Sequence, residues 1–177
     1  MKDDRGLSLI ELVVVIAIMA VVATGMVVGV YSSATWKSKK AVEQIDQALS
    51  ETRVQALSKT NAWMEMKYQG EHYVLMTSYA ADVILDGKFT LTYHTREDKA
   101  EADAKDIPLI LTYDRSSGAF SGVKASVSTS ADQTTYQSRY AADGITVLYC
   151  DRITITQGSR EWNITLSPET GKHTVVR

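Results

Sequence analysis

A chain of 177 residues with a formal net charge of −2 and a pI of about 5.9 has no overall excess of positive charge, so composition gives no general reason to expect nucleic-acid binding. Its single cysteine, Cys150, excludes an intrachain disulfide. Beyond the helix expected over 7–60 about 115 to 120 residues remain, enough for one modest core and not two.

The apolar stretch comes first. Between Glu11 and Lys37 there is no charged residue, and Leu12 to Val30 is interrupted only by Thr24, Gly25 and Gly29. At 1.5 Å rise per residue about 20 such residues span the hydrocarbon core of a bilayer, so the pattern predicts a membrane helix over 12–30. Glu11 is out of keeping with a plain anchor, because an ionised carboxylate at the lip of an apolar segment is costly unless something pairs with it. Lys2 and Arg5 favour a cytoplasmic start, but Lys37, Lys39 and Lys40 lie just past the other end, and charge alone does not orient the segment.

The run Gly6-Leu7-Ser8-Leu9-Ile10-Glu11, with the uncharged segment behind it, resembles the cleavage site of type IV prepilins and pseudopilins. That site is a short leader ending in Gly, then an apolar residue, with Glu fifth in the mature chain. The resemblance implies that residues 1–6 are a leader, that prepilin peptidase cuts between Gly6 and Leu7, and that the new Leu7 amine is N-methylated. Leu7 stands where the family most often has Phe. Cleavage would place a cation about one helical turn from Glu11, where a carboxylate also suits the positive end of the helix dipole. In a stack of parallel helices Glu11 of one subunit is then placed to meet the Leu7 amine of its neighbour, which would set the axial register.

Gly25-Met26-Val27-Val28-Gly29 reads in two ways. Small residues at this spacing let helices approach closely, and glycines also soften a helix, where many members of the family carry a Pro instead. Beyond it, Trp36 to Thr60 lacks Pro and Gly and is rich in helix formers. Val42, Ile45, Leu49 and Ala56, with Ala41, Ala48 and Thr52 beside them, mark one apolar face. One helix is therefore predicted over 7–60, roughly 80 Å long at 1.5 Å per residue. Trp36, Lys37, Lys39 and Lys40, with Tyr31, form a basic-aromatic cluster suited to the lipid headgroup zone, with anionic lipid, a neighbouring subunit or DNA as the alternative contact.

After Thr60 the period changes to alternation. Ala62–Tyr68 and His72–Thr77 read as strands around a turn at Gln69-Gly70-Glu71, followed by strands over Phe89–Thr95 and Ile107–Tyr113. Arg96–Asp106 reads as a loop or short exposed helix, and the Ser-, Thr- and Gln-rich stretch Ser126–Ser138 as an exposed loop. Strands are expected again over Gly144–Cys150, then in a hairpin of Arg152–Thr156 with Glu161–Leu166, and last in Lys172–Val176. The ending Leu166-Ser167-Pro168-Glu169-Thr170-Gly171 before the closing strand resembles that of GspH/FimT-like minor pseudopilins.

Groups with chemical potential are sparse. His72, His94 and His173 show no metal spacing, and neither a phosphate loop nor a nucleophile turn is present. The acidic residues Glu97, Asp98, Glu101, Asp103 and Asp106 match no calcium loop and are interspersed with Lys99 and Lys105, so they read as a solvated face. Cys150 reads as a small buried hydrophobe. No catalytic residue, metal or cofactor is expected.

The expected fold is α+β and pilin-like: a leader over 1–6, a helix over 7–60, and an antiparallel β domain over 61–177. The resemblance implies a structural subunit of a pilus or type II secretion filament, anchored by one pass in the bacterial cytoplasmic membrane with its β domain outside. Its implied partners are prepilin peptidase, other pilins or pseudopilins, an assembly platform protein and an ATPase. The alternatives are a DNA-binding competence pilin, or an exported binding domain or enzyme behind an ordinary signal anchor, which would be cut after the apolar run and has no use for Glu11.

Overall fold

A computed structural model describes the backbone of residues 9–58, 62–130 and 133–176, and within these the side chains other than those of 21–34 and 127–136. The chain divides into two compact units, Met1–Trp36 and Lys37–Arg177. Helix α1 is assigned to Leu9–Ser58. It is followed by β1 (Trp63–Gln69), β2 (His72–Thr77), β3 (Val83–Leu85), β4 (Thr90–Thr95), β5 (Ala100–Asp103), β6 (Leu109–Tyr113), β7 (Phe120–Ser130), β8 (Gln133–Ser138), β9 (Cys150–Gln157), β10 (Arg160–Ser167) and β11 (Lys172–Val176).

The strands form two sheets, ordered β3-β2-β1-β6-β7-β8 and β11-β10-β9-β4-β5, with antiparallel neighbours throughout. Tight turns set much of the register. Gly70 and Glu71 both take positive φ, 57° and 80°, as the two-residue turn that follows a strand's right-handed twist requires, and Gln69 pairs with His72 across it. At the β9–β10 hairpin Gly158 takes the first turn position at φ 59°, and Gln157 faces Arg160.

In the unit Lys37–Arg177, the face of α1 read from spacings of three and four is the buried one. Ala41, Val42, Ile45, Ala48, Leu49, Thr52 and Ala56 are all buried. The apolar members join one core with Met64, Met66 and Leu75 of the six-stranded sheet and Leu91, Tyr93, Ile153, Ile155 and Ile164 of the five-stranded one. Two polar groups at this seam bond to main-chain carbonyls of α1: the Tyr113 hydroxyl donates to the Leu49 carbonyl at 2.9 Å, and the Thr52 hydroxyl to the Ala48 carbonyl at 2.6 Å.

The expected class, α+β with antiparallel sheets, is the one found; three local readings are corrected and one strand is added. Arg96–Asp106 is not simply a loop, because β5 lies within it and pairs with β4 from Thr92↔Asp103 to Thr95↔Ala100. The Ser- and Thr-rich stretch is the β7–β8 hairpin, paired from Lys124↔Ser138 to Ser130↔Gln133. Main-chain pairing needs no apolar side chain, and Thr is a good strand former, so composition misled there. Gly144–Cys150 is not a strand; a single bridge, Tyr140↔Val147, precedes β9. The Asp143 carboxylate accepts from the amides of Ile145 and Thr146, each at 2.9 Å, and that bonding folds the segment into a turn instead. Strand β3 was not foreseen at all.

Candidate assembly segment and domain surfaces

Gly6 and Leu7 lie outside the described residues. Glu11 sits in the first turn of α1, where its charge suits the helix dipole. From residue 9 to residue 20 every side chain is exposed, Leu9 at 82% and Met19 at 67% among them. A helix apolar on all sides belongs inside lipid or inside a bundle of other helices, because water penalises each of its faces. Gly25 and Gly29 are in helical backbone, and the side chains around them lie outside the described residues. Among the described residues, no helix is long and apolar enough to cross a membrane.

Trp36, in the first unit, is 64% exposed. In the second unit Lys37, Lys39 and Lys40 are exposed, and the Lys39 ammonium lies 3.7 Å from the Glu43 carboxylate one turn on. An exposed pair of this kind contributes a few tenths of a kcal/mol at most, ~0.3–0.5.

Residues 1–27 match the family model for the prokaryotic N-terminal methylation motif. The motif supports the type IV pilin-like family, with cleavage by prepilin peptidase and methylation of the new N-terminus, and it points to a structural protein rather than an enzyme. No curated protein and no solved structure matches the chain.

Behind the methylation motif, the domain's ionisable groups are largely committed to structure. The His94 Nδ1 lies 2.6 Å from Asp151, and the His173 Nε2 lies 3.0 Å from Asp46, while His72 is exposed. The acidic stretch is used piecemeal. Glu97 accepts from the Tyr149 amide, Asp98 from the Thr95 hydroxyl, Asp103 from the Tyr73 hydroxyl, and Glu101 pairs with Arg152. Among the described residues no cluster of His, Cys, Asp or Glu is arranged to hold a metal ion. Cys150 is buried, and burial pushes its thiol far above the ordinary range, which keeps it in the unreactive protonated form.

One arrangement had no counterpart in the sequence reading. Arg53 of α1 donates from Nε to the Gly118 carbonyl at 3.1 Å and from Nη2 to the Thr170 carbonyl at 2.9 Å. The Phe120 amide donates to the Pro168 carbonyl at 2.9 Å. The turn Pro168–Gly171, noted only for its likeness to a family ending, is thereby tied to α1 and to the approach to β7. Gly171 is required there: its φ is +63°, and a Cβ would lie 1.7 Å from the Gly118 carbonyl oxygen. The only sequence signal was an arginine beside the buried stripe of a helix, which by itself reads as surface.

Proposed function

We propose that this chain is a structural subunit of a type IV pilus-like or type II secretion filament, with a minor pseudopilin as the first assignment and a major filament subunit as the second. The observation that carries the reading is the methylation motif over residues 1–27 running into a helix that is apolar and exposed on every side along residues 9–20. Prepilin peptidase cuts between Gly6 and Leu7, and Leu7 is then methylated. Residues 12–30 hold the precursor in the cytoplasmic membrane in a single pass, with the β domain on the outer side. An assembly ATPase and a platform protein then extract the subunit into the filament. The same apolar surface that needs lipid before assembly needs neighbouring helices after it. Glu11 selects register by meeting a neighbour's Leu7 amine, Gly25 and Gly29 permit close packing or local softening, and Trp36, Lys37, Lys39 and Lys40 sit at the headgroup level. The Thr170-Gly171 ending and the single cysteine favour the minor pseudopilin.

The test is the intact mass and N-terminal sequence of the protein recovered from membranes, with and without prepilin peptidase, alongside Glu11→Ala. The expected outcome is a chain beginning at methylated Leu7 only when the peptidase is present, with Glu11→Ala cut normally and absent from filaments. A chain that begins beyond Val22, or that keeps Met1 whether or not the peptidase is present, overturns the reading.

A further inference from the structure

The unit Lys37–Arg177 carries an apolar knob and an apolar groove that share no residue. The knob is Ile145, 81% exposed at the tip of a turn. An apolar side chain this exposed on a flexible loop would be unremarkable, but this turn is fastened from within. Asp143 accepts from the amides of Ile145 and Thr146 and from the Thr146 hydroxyl, the Ala141 amide donates to the Thr146 carbonyl at 2.8 Å, and the Gly144 amide donates to the Ala141 carbonyl at 2.9 Å. The base is sealed by the Tyr140↔Val147 bridge and by Leu148, which is buried. Ile145 is thus held out in one place, so little ordering entropy is lost when it is covered. The Asp143 carboxyl is held below its usual range by the same hydrogen bonds, the Thr146 hydroxyl foremost, and the turn stays anionic at neutral pH.

The groove, about 500 Å³, runs between α1 and β11, with Val54 and Leu57 on its helix wall and Lys172 and Thr174 on its strand wall. Val54 is 63% exposed and Leu57 48%, one helical turn apart on the side of α1 left clear of the core. Its lining also includes Arg53, which holds the Thr170 carbonyl, and the Asp46–His173 pair. Lys172, exposed on the rim, is the cation that an incoming carboxylate would meet.

We propose that the Ile145 turn of one subunit docks in the α1–β11 groove of a second copy of this chain, with Ile145 against Val54 and Leu57 and the Asp143 side facing Lys172. The pairing of a rigid apolar tip with the apolar helix wall of the groove, and of an acidic turn with Lys172 on its strand wall, argues for this occupant. Because knob and groove are different surfaces, the contact is head-to-tail, and each copy that docks leaves one knob and one groove free for the next, so the contact propagates along a filament rather than closing a dimer. The inference rests on the filament reading in its major-subunit form, in which copies of this chain are neighbours, and names a contact between them.

The experiment is cysteine cross-linking of the full-length chain in cells that carry the assembly machinery. The natural thiol, Cys150, is buried and does not interfere. Ile145→Cys and Val54→Cys are made separately and together, and filaments are treated with a mild oxidant. The expected result is a dimer when the two single variants are mixed, a ladder of dimers, trimers and higher species for the double variant, and no cross-link for either single variant alone. Dimers from Ile145→Cys alone would mean that two turns meet symmetrically, which overturns the proposal. Ile145→Asp is expected to lower filament yield at least tenfold while leaving cleavage after Gly6 unchanged, and Ile145→Leu to restore the yield; an Ile145→Asp chain that assembles as the wild type overturns it too. The two readings fail separately. A wild-type chain not cut at Leu7 removes the filament reading and this contact with it, whereas wild-type filaments without the 145–54 cross-link remove only the contact.

Discussion

Replacing Gly171 by Ala tests the close approach on which the C-terminal end of the domain depends. The backbone there has φ +63°, and the new Cβ would stand 1.7 Å from the Gly118 carbonyl oxygen and 2.9 Å from its carbon. An ordinary non-bonded contact needs about 3.5 Å, so one of the two turns must withdraw by roughly 1.5–2 Å. Both turns are held by Arg53, through the Gly118 and Thr170 carbonyls, and a shift of that size breaks at least one of those bonds. A hydrogen bond from a charged donor contributes about 1.5–3 kcal/mol, and a left-handed conformation costs an alanine about 1–2 kcal/mol. The sum, about 3 kcal/mol or more, is a large share of the roughly 5–15 kcal/mol that stabilises a domain of this kind. Gly158→Ala is the internal control, since its φ is similar at +59° and its added Cβ meets open space, so only the conformational cost of about 1–2 kcal/mol applies. Urea unfolding of the full-length chain in detergent, followed through the fluorescence of buried Trp162, separates the two. At an urea slope of about 1–3 kcal/mol per molar, the Gly171→Ala midpoint is expected roughly 1–3 M below wild type, well beyond that of Gly158→Ala. Equal midpoints for the two variants would refute the close approach.

Two further outcomes follow from the core and from a surface turn. Leu49→Ala empties a fully buried position on the α1 face against the sheets and is expected to cost about 2–5 kcal/mol, read by the same urea titration, whereas Gln55→Ala, which joins no buried cluster, is expected to stay within about 0.5 kcal/mol. Asp114 accepts hydrogen bonds from the Ser116 hydroxyl, the Ser117 amide and the Ser117 hydroxyl, which hold its carboxyl at about 2 against an ordinary 3.8. Its folded value is the lower one, so its contribution is present in full above about pH 4 and is lost as the pH falls toward 2; a carboxyl carbon-13 titration with a midpoint near 4 would contradict the hydrogen bonding of that turn.

What could be read from the sequence was whatever a period imposes. The α1 face is legible because burying one stripe of a helix repeats every three to four residues, and Val42, Ile45, Leu49 and Ala56 are buried as that spacing requires. The Gly70-Glu71 and Gly158-Ser159 hairpins are legible because two-residue turns demand positive φ, which glycine supplies most readily. The misses occur where a strand is short or holds few large apolar residues. β5 carries no large apolar residue, β7 and β8 are dominated by Ser, Thr and Gln beyond the buried Phe120 and Val123, and Val83-Ile84-Leu85 is too short to announce itself after the bend at 78–80. Gly144–Cys150 has a strand's composition, and Asp143 overrides it locally by taking the amides a ladder would have used. Arg53 was invisible for a different reason: its partners are the carbonyls of residues 118 and 170, and no local pattern points to main-chain acceptors that far along the chain.

The distribution of polar commitments bears on where function resides. Within the unit Lys37–Arg177 many of the carboxylates and histidines that could do chemistry are instead holding turns and strands, as with Asp98, Asp103, Asp114, Asp143 and Asp46 with His173. A carboxylate that fastens a loop through three donors is held in its ionised form and in its place, and is a poor general acid for that reason. Toward the other end of the chain the arrangement is reversed: along residues 9–20 the helix exposes apolar side chains on each turn, with Glu11 the acidic residue of its first turn. Apolar surface of that extent is a demand for other chains or for lipid rather than a contribution to its own unit. A domain that commits many of its carboxylates and histidines to its own turns and strands, with exposed apolar side chains along residues 9–20, is consistent with the filament reading proposed above.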